Sequence, residues 1–228
     1  MKHQNAMGIT IIFITILTVA LLYLCDQVLT LSYNAKIVIK LILFTCGPFL
    51  YIRKADYNFF KESIYNVRKI NDLKVSLIFG VLVIIIIAMA YITVKQYIDI
   101  DTLIHEFENK YKINKQNIIY YGLYITFINS LLEEAFFRGF IFLNLKKLGF
   151  KKWAYIVSSL AFSVYHIANF QNWFSWQVFL LACTGLFIGG TIFNYLDDKP
   201  NTFLNSWFVH ICADLAIILI GFRIFEII

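Results

Sequence analysis

Apolar residues in this chain gather in long stretches: Met7–Cys25, Ala35–Ile52, Val75–Val94, Ile118–Leu145, Trp153–Phe170, Trp176–Leu196 and Thr202–Ile220. Each is close to the roughly 20 residues that a helix needs to cross the hydrocarbon core of a bilayer. The pattern predicts an all-α polytopic transmembrane helical bundle of about seven spans, with room for an eighth or re-entrant element. The first run follows Lys2 and resembles a signal peptide. It is longer than a signal core, and no small-x-small cleavage site follows it, so it reads as an uncleaved first span. The second run carries Lys36, Lys40 and Pro48; both lysines lie near one end, from which they could snorkel to the interface. The fourth run is longer than the bilayer and holds three charges, so its helix is expected to project beyond the membrane on one side.

Composition agrees with this solvent. Hydrophobic residues make up 60% of the chain and charged residues 15%, with a mean hydropathy of +0.72; a soluble domain of this size could not bury so much apolar surface. The net charge of +6 does not signal nucleic-acid binding, because the basic residues cluster between apolar runs. Residues 53–74 contain Arg53, Lys54, Lys61, Arg68, Lys69 and Lys74, and the turn after Leu145 contains Lys146, Lys147, Lys151 and Lys152. Both read as cytoplasmic under the positive-inside rule. Lys95–Gln116, with four acidic residues, and the uncharged stretch near 170–176 read as external. These assignments alternate through seven spans and place the N-terminus in the cytoplasm. Tyr57, Phe59, Phe60, Ile64, Tyr65 and Val67 make the 53–74 segment an amphipathic cytoplasmic surface element attracted to anionic lipid. Cys25, Cys46, Cys183 and Cys212 show no metal spacing and read as reduced, buried packing residues. With no internal repeat, 1–228 reads as a single integral membrane domain.

Ionisable residues inside a span are costly and are functional by default. Here they concentrate in the C-terminal half: Glu133, Glu134 and Arg138 in the fourth span, His166 in the fifth, His210 and Asp214 in the seventh. Glu134 and Arg138 are four apart and share a helix face. Glu133 points about 100° away and is left to face another helix, a candidate general base. The same spacing also suits a plain helix-end salt bridge. His166 follows Phe162 by four and could be no more than a helix–helix hydrogen bond. His210 and Asp214 also share a face: the carboxylate could hold the imidazole tautomer, or both could line a pocket. Two histidines and two carboxylates could alternatively hold zinc, although no HExxH is present. At 1.5 Å per residue, Glu133 is about 15 residues from the outer start of its span and His210 about eight from the inner start of its own. That brings them to similar height in the cytoplasmic half, with His166 somewhat higher.

Glu133-Glu134-Ala135-Phe136-Phe137-Arg138, then Phe162-Ser163-Val164-Tyr165-His166, then His210-Ile211-Cys212-Ala213-Asp214, on successive core helices, resembles the CAAX-protease and bacteriocin-processing (CPBP) family of intramembrane proteases. That family includes the Ras-converting prenyl-protein endopeptidases. The resemblance covers 118–221, the expected catalytic core helices. It implies that Glu133 and His166 activate a water, that Glu134, Arg138 and Phe162 support them, and that His210 and residue 214 stabilise the oxyanion. Position 214 is Asp where the better-known prenyl proteases have Asn. An ionised carboxylate would repel an oxyanion, so Asp214 must be protonated or must orient His210.

The expectation is an intramembrane endopeptidase acting on a membrane-associated peptide or protein, by a glutamate-type mechanism with no cofactor. Peptide maturation, bacteriocin immunity and CAAX-type processing are the candidate roles. The Lys-, Ile-, Asn- and Phe-rich usage points to a bacterial plasma membrane. A zinc-dependent form using Glu133, His166, His210 and Asp214, a non-catalytic scaffold or regulator on the same fold, and a small transporter are the competing readings. The transporter is disfavoured by the absence of paired Gly/Pro-interrupted segments.

Overall fold

The computed structural model describes residues 2–29, 31–55, 70–109, 111–170 and 175–227. Eight helices can be numbered along these residues: α1 (Lys2–Gln27), α2 (Tyr33–Ala55), α3 (Ile70–Val94), α4 (Ile100–Asn109), α5 (118–147), α6 (Lys151–Phe170), α7 (Trp176–Asp198) and α8 (Leu204–Ile224). No β-strand occurs among the described residues. Five helices are long and apolar enough to cross a membrane: Lys2–Gln27, Tyr33–Tyr51, Lys74–Tyr97, Trp176–Asp198 and Leu204–Ile224. The other two predicted spans, Ile118–Leu145 and Trp153–Phe170, are helical throughout and carry the polar residues described below. Of the expected surface segment 53–74, residues 56–69 lie outside the described residues.

α5 is the axis around which the rest is built. From Phe136 to Leu145 it is buried on every side. Phe136, Phe137, Phe140, Ile141 and Phe142 pack with Ile11 of α1, Phe44 and Tyr51 of α2, and Ala154, Phe162 and Tyr165 of α6. A stretch that is apolar on every side apart from Arg138 and Asn144 suits the centre of a bundle. Its backbone is irregular: π-helical over Tyr124–Asn129 and Ala135–Phe142, with one α-helical stretch, Ser130–Glu134, between them. π-turns inside α-helices frequently mark functional sites. At the turn into α6, Gly149 adopts φ +92°, a conformation that side chains resist.

α3 packs along α8. A methyl group at Gly80 would lie 2.9 Å from Cys212 Sγ, so the missing side chain allows the close approach. The far face of α3 is apolar and open, including Leu77, Ile78, Val81, Ile85, Ile86, Met89 and Ile92. Lys146 and Lys151, at the α5–α6 turn, pair with Asp198 at the end of α7, at 2.7 and 2.6 Å. The two turns therefore lie at one end of the bundle.

The segment Lys95–Gln116, expected to be an external loop, contains α4. Ile100, Leu103, Ile104 and Phe107 follow the helical stripe, and Ile104 and Phe107 pack on the cluster of Tyr111, Ile113, Ile118 and Phe225. The Asp99 carboxylate starts α4 by accepting hydrogen bonds from Thr102 N at 3.1 Å and Thr102 Oγ1 at 2.8 Å. These bonds hold its carboxyl below the usual range. The cysteines are free, but none is fully buried: Cys46 is exposed and the other three are half-buried. Wide apolar runs leave many side chains facing outward, and cysteine is small enough to occupy either side.

Candidate active site

The polar residues of α2, α5, α6 and α8 converge between those helices. Glu133 is 2% exposed. Its Oε1 accepts hydrogen bonds from Lys40 Nζ at 2.9 Å, Asn129 Nδ2 at 2.8 Å and the Tyr165 hydroxyl at 3.1 Å. Its Oε2 has no hydrogen-bond partner. That oxygen faces His166 Nε2 at 3.7 Å and His210 Nε2 at 3.8 Å. Sequence spacing left Glu133 without a counter-charge. The structure corrects this, because α2 supplies Lys40 from 93 residues away. Lys40 does not snorkel outward; its ammonium turns into the protein, over the Tyr165 ring at 4.8 Å and the Phe44 ring at 5.6 Å.

Glu134 and Arg138, both fully buried, pair at 2.9 Å. The guanidinium lies over the rings of Phe162 at 4.3 Å and Phe193 at 4.9 Å. Glu134 Oε1 also accepts from His210 Nδ1 at 2.8 Å. His166 Nδ1 donates to the Phe162 carbonyl at 2.8 Å, because a carbonyl can only accept. Phe162 therefore acts twice: its backbone fixes the His166 ring and its side chain covers Arg138. In both histidines Nδ1 is held by an oxygen of the protein and Nε2 faces Glu133.

Two expectations change. His166 does not sit above the other groups; both histidines reach the same Glu133 oxygen. α5 and α6 run in opposite directions, so side chains that lean toward the N-terminus of their own helix bring Glu133 and His166 toward one another. Asp214, in turn, does not hold the His210 tautomer. Glu134 takes Nδ1, while Asp214 Oδ1 lies 3.7 Å from Nε2. Asp214 Oδ2 is buried without a hydrogen-bond partner, so its carboxyl lies on the reactive side of the ring.

A second polar layer sets the register of these helices. Ser158 Oγ lies 2.9 Å from the Phe137 carbonyl and 3.0 Å from Asn194 Oδ1. Asn194 Nδ2 donates to Ser159 Oγ at 3.1 Å. Asp197 Oδ1 accepts from Ser206 N at 3.1 Å, tying the end of α7 to the first turn of α8. Trp207 Nε1 donates to Ser130 Oγ at 3.0 Å, joining α8 to α5. Lys40, Asn129 and Tyr165 were missed from sequence. The signal for Lys40 was a lysine within an apolar run; that for Asn129 was its place one turn before Glu133.

Ligands about 2.0–2.1 Å from a tetrahedral zinc stand about 3.4 Å apart. The Glu133 Oε2 to imidazole separations are wider, 3.7 and 3.8 Å. Among the described residues, no group of three or more His, Cys, Asp or Glu is arranged to hold a metal ion. What the arrangement offers is a buried carboxylate oxygen facing two imidazole nitrogens.

Residues 115–216 match the family model described as Type II CAAX prenyl endopeptidase Rce1-like. No curated protein and no solved structure matches the chain significantly. The matched segment contains all three motifs on which the resemblance was read. Lys40 lies outside it.

Proposed function

With residues 115–216 matching the Rce1-like model of type II CAAX prenyl endopeptidases, we propose that the chain hydrolyses a peptide bond in a membrane-associated peptide or protein, using Glu133 and His166 to activate water. The observation that carries this reading is Glu133 Oε2, buried, without a hydrogen-bond partner and facing the Nε2 atoms of both histidines. Water held there loses a proton to Glu133 or His166 while its oxygen attacks the scissile carbonyl. The oxyanion forms against His210 and residue 214. The abstracted proton then passes to the leaving amine as the carbon–nitrogen bond breaks, so proton and charge balance over the cycle.

Each supporting residue has a physical task. Because His210 Nδ1 already donates to Glu134, an oxyanion contact from Nε2 requires the imidazolium. Arg138 balances Glu134 and so keeps that carboxylate available to the ring. Asp214 assists an oxyanion only as a protonated acid, since an ionised carboxylate would repel it. We favour a metal-free reaction over a zinc-dependent one. Lys40 already places an ammonium on Glu133, and a divalent cation on the same carboxylate would feel its repulsion at short range. In the orientation read from loop charge, with seven spans, the site lies toward the cytoplasmic side of a bacterial plasma membrane. Peptide maturation or immunity to a bacteriocin are the roles we favour over processing of prenylated proteins.

The test uses protein in proteoliposomes and a panel of membrane-anchored peptides, farnesylated CAAX peptides among them. Glu133→Gln and His166→Ala each lower turnover by about 10²–10⁴-fold while the chain still inserts and folds. Full activity in either variant refutes the mechanism. Stoichiometric zinc that is required for turnover refutes the metal-free form.

A further inference from the structure

We infer that Lys40, which lies outside the family-matched segment, is a positioning residue that completes the site by pinning one oxygen of Glu133 and leaving the other for the imidazoles. The inference rests on the peptidase reading for its kinetic consequence, but not for the pairing itself.

α2 presents Lys36 and Lys40 on one face, four residues apart. Lys36 pairs with Asp26 at the end of α1. Both side chains are only 13% exposed, but Lys40 directs its ammonium to α5. A lysine in an apolar helix normally extends its ammonium to the interface; turning it inward is tolerated only against a buried partner. Here the partners are Glu133 Oε1 at 2.9 Å and Asn129 Oδ1, with Phe44 and Tyr165 forming the aromatic walls.

The three donors on Glu133 differ in kind. Asn129 and Tyr165 are neutral and fix direction only. Lys40 alone among these three balances charge, and Arg138, the buried cation of α5, is committed to Glu134. All three donors fall on Oε1 and none on Oε2. The carboxylate is thus held with its torsions fixed and one oxygen turned to the reaction side, the support that a first-contact group needs to act with precision. The region that carries the motifs does not contain this counter-charge; the second helix brings it.

The experiment compares full-length wild type, Lys40→Met, Lys40→Arg, Glu133→Gln and Lys40→Met/Glu133→Gln in proteoliposomes and by thermal unfolding. Lys40→Met is expected to lower kcat about 10²-fold with KM changed by no more than about twofold, because the base is misplaced while substrate contacts persist. Lys40→Arg recovers part of the loss. Each single neutral variant strands a buried charge, so both melt below wild type. The double variant strands none and melts above either single. Wild-type kcat in Lys40→Met, or additive melting shifts, overturns the inference. A wild type that cleaves no peptide while the melting shifts remain non-additive leaves the Lys40–Glu133 pair standing and brings down the peptidase reading instead.

Discussion

Arg138→Met puts the deepest charge pair of the protein to the test. Arg138 and Glu134 are both 0% exposed and are joined at 2.9 Å. Removing the guanidinium leaves Glu134 with His210 Nδ1 at 2.8 Å as its remaining strong contact. Breaking one side of a buried ion pair costs about 3–5 kcal/mol. The guanidinium also lies over two rings, at 4.3 and 4.9 Å, contacts worth about 0.5–2 kcal/mol each when desolvated. Met fills much of the volume and recovers part of that packing, and His210 offsets part of the stranded charge. The net loss should therefore stay near 3–5 kcal/mol. For a chain of this length, that lowers the melting temperature by about 6–20 °C. The assay is tryptophan fluorescence of the detergent-solubilised protein on heating, with size exclusion to confirm a folded starting state. Arg138→Met/Glu134→Gln should regain most of the loss, because Gln keeps an acceptor for His210 and buries no charge. A shift below about 2 °C for Arg138→Met, or a double variant no more stable than the single, would refute the reasoning.

Two neighbouring glycines of α7 should behave oppositely. A Cβ at Gly190 would lie 3.1 Å from the Ser159 Cα and 3.4 Å from Arg138 Nη2, so Gly190→Ala should destabilise by about 1–3 kcal/mol. Gly189 has nothing within 4 Å, so Gly189→Ala should be neutral or stabilising by up to about 1 kcal/mol; equal melting temperatures for the two variants would contradict this. At position 214, Asp214→Asn should keep kcat within about tenfold or raise it, since an amide can donate to an oxyanion that a carboxylate repels. A loss beyond about 10²-fold would show that the negative charge itself is used.

What could be read from the sequence was what helix periodicity encodes. Glu134 and Arg138 stand four apart, and four residues make one turn, so their pairing needed no tertiary knowledge. The apolar runs likewise encode helices that need a lipid-like solvent. What could not be read was every contact between helices. Spacing within α8 allowed Asp214 to orient His210 or to line a pocket with it; Glu134 of α5 takes Nδ1 instead, a contact between helices that spacing cannot encode. Lys40 and Glu133 are 93 positions apart, and nothing along the chain links them. The π-helical stretches around Glu133 and Glu134 also left no trace, since a widened turn depends on how the helix is packed and not on composition. α4 was overlooked because its acidic residues suggested a loop, although its apolar positions had the helical stripe.

The open face of α3 bears on how the chain can change over time. Only 6% of its most apolar window is buried inside the protein, and its inner contact with α8 is made at a few positions such as Gly80. One branched aliphatic residue serves lipid as well as another, so the outer face of α3 is free to drift among Leu, Ile, Val and Met at little selective disadvantage. α5 has no such freedom, with each side from Phe136 to Leu145 fitted against a neighbour. Descendants of this sequence should therefore diverge quickly along α3 and slowly along α5, even though both helices are equally oily to the eye.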